Sequence, residues 1–300
     1  MKTIYSVIYL LISMLILSMP LSAQKSIIAK NAQLRKIGDG FSFTEGPAVD
    51  ANGDVYFTDQ PNNKIIKWSE KAGVLETFMS NSGRSNGMYF DNDGNLLSCA
   101  DMQNQIWAID KNGNHTVIVE GYEGKLLNGP NDLWITPNGG LYFTDPLYKR
   151  DYWERDPNMQ QSGENVYFLS PDYKSLRTVE ETLKKPNGII GTPDGKFLYV
   201  ADIEGNKTFR YDISANGEIQ NKTLFVEMGS DGMTIDRKGN IYLTGKGVTV
   251  FSKERQQIAH IPVDEPWTSN VCFGGKKRDM LFITASGAVY GIKMQVKGVK

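Results

Sequence analysis

Histidine and cysteine are scarce in this chain, since each occurs only twice in 300 residues. His115 is expected in a turn and His260 in an outer strand, and neither falls in the repeated motif described below, so a histidine-based catalytic centre is not expected. Cys99 and Cys272 each lie inside an apolar run. Oxidising surroundings outside the cytoplasm would allow them to pair, but the preferred interpretation is two free, buried thiols that pack as small apolar side chains.

Helical periodicity and an excess of charge are also missing. No long stretch repeats its apolar residues at the helical spacing. Short apolar and β-branched runs instead alternate with Asn-Gly, Asp-Gly or Lys-Gly pairs, which favour hairpins. The 33 Lys and Arg residues nearly balance the 34 Asp and Glu residues. A nucleic-acid partner, which would require a basic surface, is therefore not expected.

A long apolar run occurs only at the N-terminus, within residues 1–23. This segment has an early Lys2, an apolar core from Ile4 to Leu17 and a small Ala23 at its end, which is typical of a secretory signal peptide. A membrane anchor is the alternative, because the apolar core is only just too short to span a bilayer. We expect cleavage, a mature chain of residues 24–300 without stable membrane insertion, and a periplasmic or secreted location.

The sequence is rich, by contrast, in one repeat. Each unit begins with a side-chain oxygen and continues with an apolar run, a turn containing Gly, and a second apolar run that ends near an acid. A period of about 40–50 residues with four strands per unit is typical of a propeller blade. The sequence therefore predicts an all-β, six-bladed β-propeller that forms a single domain over residues 24–300, because no blade can bury its faces alone. The six oxygen-bearing residues, called the phased residues below, are Glu45, Asn86, Asn131, Asn187, Asp231 and Asn270.

Two segments depart from the simple repeat. Residues Ala32–Ile37 occupy the place of an outer strand before Glu45, while the last repeat, from Asn270 to Met294, is one strand short of a full blade. The N-terminal strand is therefore predicted to complete the C-terminal blade and to remove its open edge. The longest interval between phased residues contains an additional polar segment at 150–163, interpreted either as a lid over the mouth of the propeller or as a solvated loop.

The phased residues are candidates for a metal site. The innermost strands of a propeller line its axis, so residues at one phase of the repeat converge at one mouth. Two carboxylates and four amides suit a hard cation, Ca²⁺ best and Mg²⁺ or Mn²⁺ less well, whereas Zn²⁺ would favour His or Cys. The alternative is that Asn-Gly and Asp-Gly are ordinary turn pairs. Glu45, which a turn does not favour, makes the metal site the preferred interpretation. Asp101 and Asp145 end second strands and are interpreted as structural.

Several motifs in this order resemble those of the SMP-30/gluconolactonase/luciferin-regenerating family, and the resemblance covers nearly the whole mature chain. It implies a six-bladed propeller with a divalent cation, usually calcium, on its axis; Mg²⁺, Mn²⁺ or Zn²⁺ are possible substitutes. It places the metal ligands at Glu45, Asn131, Asn187 and Asp231. The motifs are Phe43-Thr44-Glu45-Gly46-Pro47, Asn128-Gly129-Pro130-Asn131-Asp132-Leu133, Pro186-Asn187-Gly188 and Ser230-Asp231-Gly232-Met233.

The resemblance also implies hydrolysis of a sugar lactone or a related ester. A cation would polarise the carbonyl, and a carboxylate would activate the attacking water; Asp231 is the first candidate for this base and Asp132 the second. The alternatives are a non-catalytic propeller that binds a sugar or peptide around a structural cation, and a hydrolase of phosphotriesters or glycosides. A monomer or dimer is expected. The expected substrate contacts are Arg84, Asn86, Asn131, Asn270 and Tyr148.

Overall fold

The computed structural model describes residues 26–299, so the predicted signal peptide lies outside the described residues. Within residues 26–299 there are twenty-four strands and one short 3-10 helix, Asp101–Gln103. The strands form six separate four-stranded antiparallel sheets, which confirms the all-β, six-bladed propeller. No helix in this part of the chain is both long and apolar enough to cross a membrane.

Five blades follow the chain order and the sixth joins its two ends. Strand β1 is Arg35–Asp39. The first blade contains β2 (Thr44–Val49), β3 (Val55–Asp59), β4 (Lys64–Ser69) and β5 (Val74–Ser80). The second contains β6 (Met88–Phe90), β7 (Leu96–Ala100), β8 (Gln105–Ile109) and β9 (His115–Val119). The third contains β10 (Leu133–Ile135), β11 (Leu141–Asp145), β12 (Asn165–Leu169) and β13 (Leu176–Glu180). The fourth contains β14 (Pro186–Gly191), β15 (Phe197–Asp202), β16 (Lys207–Ile213) and β17 (Ile219–Val226). The fifth contains β18 (Met233–Ile235), β19 (Ile241–Gly245), β20 (Gly247–Phe251) and β21 (Gln257–Ile261). The sixth contains β22 (Thr268–Gly274), β23 (Met280–Ala285) and β24 (Ala288–Lys293), and β1 completes it.

The innermost strands of the blades form a closed ring. Strand β2 contacts β6, β6 contacts β10, and the contacts continue through β14, β18 and β22 back to β2. The second strands, such as β11 and β19, are buried along their whole length because each of their faces packs against a neighbouring blade. The first and last blades meet in the same way, with the rings of Phe57 and Phe282 5.8 Å apart.

Aspartate turns set the hairpins between the first two strands of several blades. The Oδ1 atom of Asp50 accepts hydrogen bonds from the backbone N–H groups of Asn52 and Asp54, both at 2.9 Å. Gly53, at φ +95°, takes the left-handed conformation that glycine adopts without strain. Asp91 and Asp236 accept the same pair of backbone bonds in their own blades. These carboxylates are occupied by the turn itself.

The predicted closure of the ring is confirmed, with a shift in its bounds. Strand β1 pairs antiparallel with β24 from Arg35 opposite Gly291 to Asp39 opposite Ala288. It begins and ends later than the predicted segment 32–37. An additional bridge joins Ile28 to Met294, so the N-terminal segment follows the last blade beyond the strand.

Other sequence predictions can be compared with the structure directly. The prediction of His115 in a turn is wrong, because it opens strand β9. Its imidazole stacks on Trp107 with ring centroids 3.7 Å apart, and His115 pairs with Ile109 at the end of the ladder. His260 lies in the outer strand β21, as predicted. Cys99 and Cys272 are free and buried, in β7 and β22, which confirms the preferred interpretation.

Candidate functional site

The phased residues meet at one end of the ring, around a cavity of about 220 Å³. Glu45, Asn86, Asn131 and Asp231 line this cavity. Asn187 and Asn270 stand directly behind the lining, where each donates a hydrogen bond to one of its carboxylates. The structure therefore brings all six phased residues together. The complete lining is Phe43, Glu45, Asn86, Asn131, Tyr148, Arg150, Ile203, Asp231 and Trp267.

Glycine after a phased residue allows neighbouring blades to approach closely. A Cβ atom on Gly87 would lie 2.4 Å from Asp132 Oδ1, and one on Gly232 would lie 2.0 Å from Asn270 Cγ. Both distances are shorter than any side chain tolerates, so these positions must be glycine. At these two positions the glycine after a phased residue therefore serves the packing between neighbouring innermost strands.

Threonines on the second strands fix the phased residues of the next blade, a feature that the sequence analysis missed. Thr58 Oγ1 donates to the carbonyl oxygen of Asn86 at 3.3 Å, and Thr144 Oγ1 donates to that of Asn187 at 2.9 Å. Thr244 Oγ1 likewise donates to Ser269, which precedes Asn270, at 2.8 Å. The signal is a threonine near the end of the second apolar run, as in Phe57-Thr58-Asp59.

The acid that ends the second strand supports the same end of the ring. Asp145 accepts hydrogen bonds from the backbone N–H groups of Asn128 and Gly129, both at 2.8 Å. Asp59 and Asp202 accept equivalent bonds from the segments that precede their innermost strands. This geometry supports the structural interpretation of Asp145. It also explains why each repeat ends near an acid.

The two carboxylates of the lining are oriented by neutral donors. Glu45 Oε2 accepts from the backbone N–H of Gly46 at 2.7 Å and from Asn270 Nδ2 at 3.1 Å. Asp231 Oδ2 accepts from the indole of Trp267 at 2.6 Å. Burial raises the pKa of Glu45 well above its ordinary value, and the nearby charges of Asp231 and Asp132 raise it further. Burial also raises the pKa of Asp231, and the charge of Arg150 offsets only part of this shift.

Asn187 supplies an observation that tests the cation prediction. Its Nδ2 atom donates to Asp231 Oδ1 at 2.9 Å and to the hydroxyl of Tyr148 at 2.8 Å. Its Oδ1 atom is buried and accepts no hydrogen bond from the described residues. A buried oxygen without a hydrogen-bond partner, on an amide that contacts the buried carboxylate of Asp231, fits a hard cation. Within residues 26–299, no three His, Cys, Asp or Glu side chains are grouped so that they could hold a metal ion. A cation at this site would therefore also need amide oxygens as ligands.

Four predicted site residues lie outside the lining: Asn187, described above, and the three that follow. Asp132 is buried and its Oδ1 accepts the backbone N–H of Leu133 at 2.9 Å; burial raises its pKa to about 8. Arg84 has a left-handed backbone, at φ +49°, and its guanidinium lies 4.4 Å from the ring centre of Tyr152. Asn270 holds Glu45 in place, as described above. Their predicted roles in contacting substrate or activating water remain predictions.

Four residues of the lining were not predicted. Phe43 and Trp267 precede the innermost strands of the first and last blades, Ile203 follows β15, and Arg150 belongs to the additional segment at 150–163. Connecting segments carry no periodic signal, so their direction cannot be deduced from the repeat. The positions of Phe43 and Trp267 shortly before Glu45 and Asn270 were the available hint.

The additional segment is held down over one side of the mouth. Arg155 forms an ion pair with the buried Asp101 at 3.2 Å and donates to the carbonyl oxygen of Asn128 at 2.7 Å. Its guanidinium also lies 3.5 Å from the ring centre of Trp153. The start of the segment then contributes Arg150 to the cavity wall, next to Tyr148. This placement favours the lid over the solvated loop.

Comparisons with known proteins agree with this architecture. The sequence model described as SMP-30/Gluconolactonase/LRE-like region matches residues 43–287. A gluconolactonase of Zymomonas mobilis is 30% identical, over 91% of this chain and 84% of that protein. A diisopropyl-fluorophosphatase of Loligo vulgaris is 26% identical, over 88% and 93% of the two chains. The solved structure of a gluconolactonase from Xanthomonas campestris superposes with a TM-score of 0.83 at 26% identity and covers 89% of this chain and 91% of that one.

Proposed function

This chain belongs to the SMP-30/Gluconolactonase/LRE-like family, and on that premise we propose that it hydrolyses a small sugar lactone with the help of a divalent cation, calcium by preference. The observation that carries the proposal is the cavity in which buried carboxylate and amide oxygens converge. Its volume of about 220 Å³ lies below the roughly 300–1,000 Å³ of pockets for drug-sized ligands. A single sugar ring is a suitable occupant.

Glu45, Asn131, Asn187 and Asp231 are the residues that would hold the cation. Two carboxylates balance the charge of a divalent ion, and the orphaned oxygen of Asn187 supplies a neutral ligand. When bound, such a cation polarises a carbonyl and stabilises the negative charge that develops on its oxygen. Trp267 and Asn187 fix the orientation of Asp231, and Asn270 fixes that of Glu45.

Asp231 is the proposed base that accepts a proton from the attacking water. It lines the cavity, whereas Asp132 does not. The water adds its hydroxyl to the lactone carbonyl carbon, the bond from that carbon to the ring oxygen breaks, and the ring oxygen receives a proton. Phe43, Ile203 and Trp267 form the apolar parts of the wall, which suits the less polar face of a sugar ring and limits the access of bulk water.

A panel of aldonolactones tests the proposal. Proton release is measured with and without a chelator, and again after calcium is restored, with spontaneous hydrolysis subtracted. We expect turnover that the chelator abolishes and calcium restores. A protein that binds calcium and sugars yet leaves every lactone of the panel intact would be a binding propeller, and the proposed reaction would be wrong.

A phosphotriester is the second candidate substrate, favoured by the similarity to the Loligo vulgaris diisopropyl-fluorophosphatase. Diisopropyl fluorophosphate added to the panel separates the two reactions, because fluoride release reports only on this substrate. A higher kcat/KM for the organophosphate than for every lactone would favour the second candidate.

A further inference from the structure

Arg150 is a charged residue of the cavity wall to which the reaction above assigns no role. It is half-buried and lines the cavity, and its Nε atom is buried without a hydrogen-bond partner among residues 26–299. No carboxylate in that part of the chain lies within the 4.0 Å that defines an ion pair. Arg155, in the same segment, is by contrast paired with Asp101.

Two acids are affected by the charge of Arg150, but both already contact other side chains. The charge of Arg150 acts on Asp101 and on Asp231. Asp101, however, forms its ion pair with Arg155 at 3.2 Å, and Asp231 accepts hydrogen bonds from Trp267 and Asn187. Within residues 26–299, therefore, no carboxylate contacts the guanidinium of Arg150.

The side chain is nevertheless held in place. Its guanidinium lies 5.1 Å from the ring centre of Tyr148, and the hydroxyl of Tyr148 is in turn fixed by Asn187. The carbonyl oxygen of Arg150 accepts the backbone N–H of Trp153 at 3.0 Å. The backbone bond fixes the main chain of Arg150, and the contact with Tyr148 orients the guanidinium before any ligand arrives, which lowers the entropic cost of binding.

Charge balance in the cavity favours an anionic ligand. The carboxylates of Glu45 and Asp231 would balance one divalent cation, so Arg150 adds a positive charge that remains uncompensated. A half-buried charge without a partner is unfavourable. A planar guanidinium binds carboxylate and phosphate groups through paired, charge-assisted hydrogen bonds, so a ligand with such a group would supply the missing partner.

We propose that Arg150 binds an anionic substituent of the substrate, so that the preferred substrate is a sugar lactone bearing a carboxylate or a phosphate. This inference rests on the lactonase function proposed above and adds the class of lactone. Arg150 then determines specificity through direct contact with the substrate, while Asp231 accepts a proton from the water that attacks the lactone carbonyl. The small cavity limits the substrate to one ring and its substituent.

Three lactones of similar size test the inference in calcium-saturated protein. The first is neutral glucono-1,5-lactone, the second its 6-phosphate, and the third the 1,4-lactone of glucaric acid, which carries a carboxylate. We expect the wild-type protein to have a higher kcat/KM for at least one anionic lactone than for the neutral one. The comparison of the phosphate with the carboxylate identifies which anion Arg150 binds.

Variants of neighbouring residues then locate the preference. Arg150→Gln is expected to lower kcat/KM for the preferred anionic lactone about 10-fold to 100-fold more than for the neutral lactone, which is the effect of one charge-assisted contact. Arg150→Lys keeps the charge but not the planar fork, so an intermediate loss is expected. Lys149→Gln removes the same charge from the exposed neighbour and should leave the preference unchanged.

The outcomes separate this inference from the proposed function. Hydrolysis of the neutral lactone without any preference for the anionic ones would overturn the role of Arg150 and leave the lactonase function standing. The same holds for an anionic preference that survives in Arg150→Gln. Should no lactone be hydrolysed, calorimetry with gluconate, 6-phosphogluconate and glucarate decides: anion binding lost in Arg150→Gln supports the site, and no binding to the wild type overturns it.

Discussion

Among residues 26–299, Glu45 and Asp231 are the only acids that line the cavity, and their carboxylates would supply the formal charge for a cation. Glu45→Gln and Asp231→Asn are therefore each expected to lose calcium affinity and activity together. The loss should exceed the about 10-fold to 100-fold that removal of a residue supporting a ligand costs. Isothermal calorimetry with calcium measures the affinity, and turnover on the best lactone measures the activity.

An exposed acid provides the control for these variants. Asp194→Asn removes a carboxylate from a turn of the fourth blade. It changes the net charge by the same amount as Glu45→Gln or Asp231→Asn. It should bind calcium as the wild type does. Wild-type affinity in both Glu45→Gln and Asp231→Asn would show that the cation binds elsewhere or not at all.

A variant of Asp132, which does not line the cavity, tests which carboxylate is the base. Asp132→Asn, assayed in saturating calcium, is expected to keep turnover within about tenfold, because removal of a general base costs on the order of 10²–10⁴-fold and Asp231 is the proposed base. His115→Ala should retain near wild-type turnover, since its ring stacks on Trp107 in the second blade. A loss in the larger range for Asp132→Asn would transfer the role of base to it.

Among the elements, β1 contains no buried residue and yet closes the ring. Its residues are exposed or half-buried, yet its pairing with β24 completes the sixth blade. Deletion of residues 26–39 is expected to lower the thermal midpoint of the whole protein, because it exposes the edge of β24 and opens the ring. Arg35→Ala, which removes an exposed side chain and keeps the strand, should leave the midpoint unchanged. A deletion variant with a wild-type midpoint would refute the closure.

The additional segment is expected to be sensitive to pH through its attachment to Asp101. Burial raises the pKa of this carboxyl from 3.8 to about 6 despite the charge of Arg155. The folded protein therefore holds this proton more tightly than the unfolded chain. The resulting stabilisation is complete below about pH 3.8 and is lost as the pH rises through about 6. For one group this amounts to roughly 3 kcal/mol.

Denaturant unfolding between pH 4 and pH 7 measures this contribution. Asp101→Asn cannot titrate, so its free energy of unfolding should fall less over this range than that of the wild type. Asp172→Asn, in an exposed turn, is the matched control and should follow the wild type. Equal slopes for wild type and Asp101→Asn would show that Asp101 does not hold a raised pKa.

The regular elements were predictable because the repeat encodes them directly. The phase of Glu45 and Asn270 alone predicts that they meet at one mouth, and the missing strand of the last repeat predicts the closure by the N-terminal segment. The exact bounds of β1 were not predictable, because exposed strand residues leave no strong apolar pattern.

Non-periodic contacts account for what the sequence did not predict at the site. Arg150 and Ile203 reach the cavity from connecting segments, whose course depends on tertiary contacts such as the ion pair between Arg155 and Asp101. Thr58 and its equivalents recur in the sequence, but a threonine in a strand is common. Only the structure shows that its hydroxyl bonds the next blade.

At the scale of the whole molecule, the predicted export can be tested on the mature N-terminus. Residues 1–23 have the composition of a signal peptide, and the first described strand, β1, begins only at Arg35. We expect the exported protein to begin near Gln24 and to be soluble. Intact-mass measurement of protein from the periplasm or medium checks this, and a mass that includes residues 1–23 would contradict it.

The hydrogen bond from Asn270 to Glu45 joins the last blade to the first, and it lies at the same seam that β1 and β24 close. Strand β1 is therefore synthesised long before β24, the strand with which it pairs. Contacts between residues so far apart in the sequence form slowly. A chain that stops before the sixth blade lacks both the partner of β1 and the amide that orients Glu45. A truncated chain would therefore have both an open strand edge and an incomplete site, so the same missing blade removes a source of stability and a part of the candidate site.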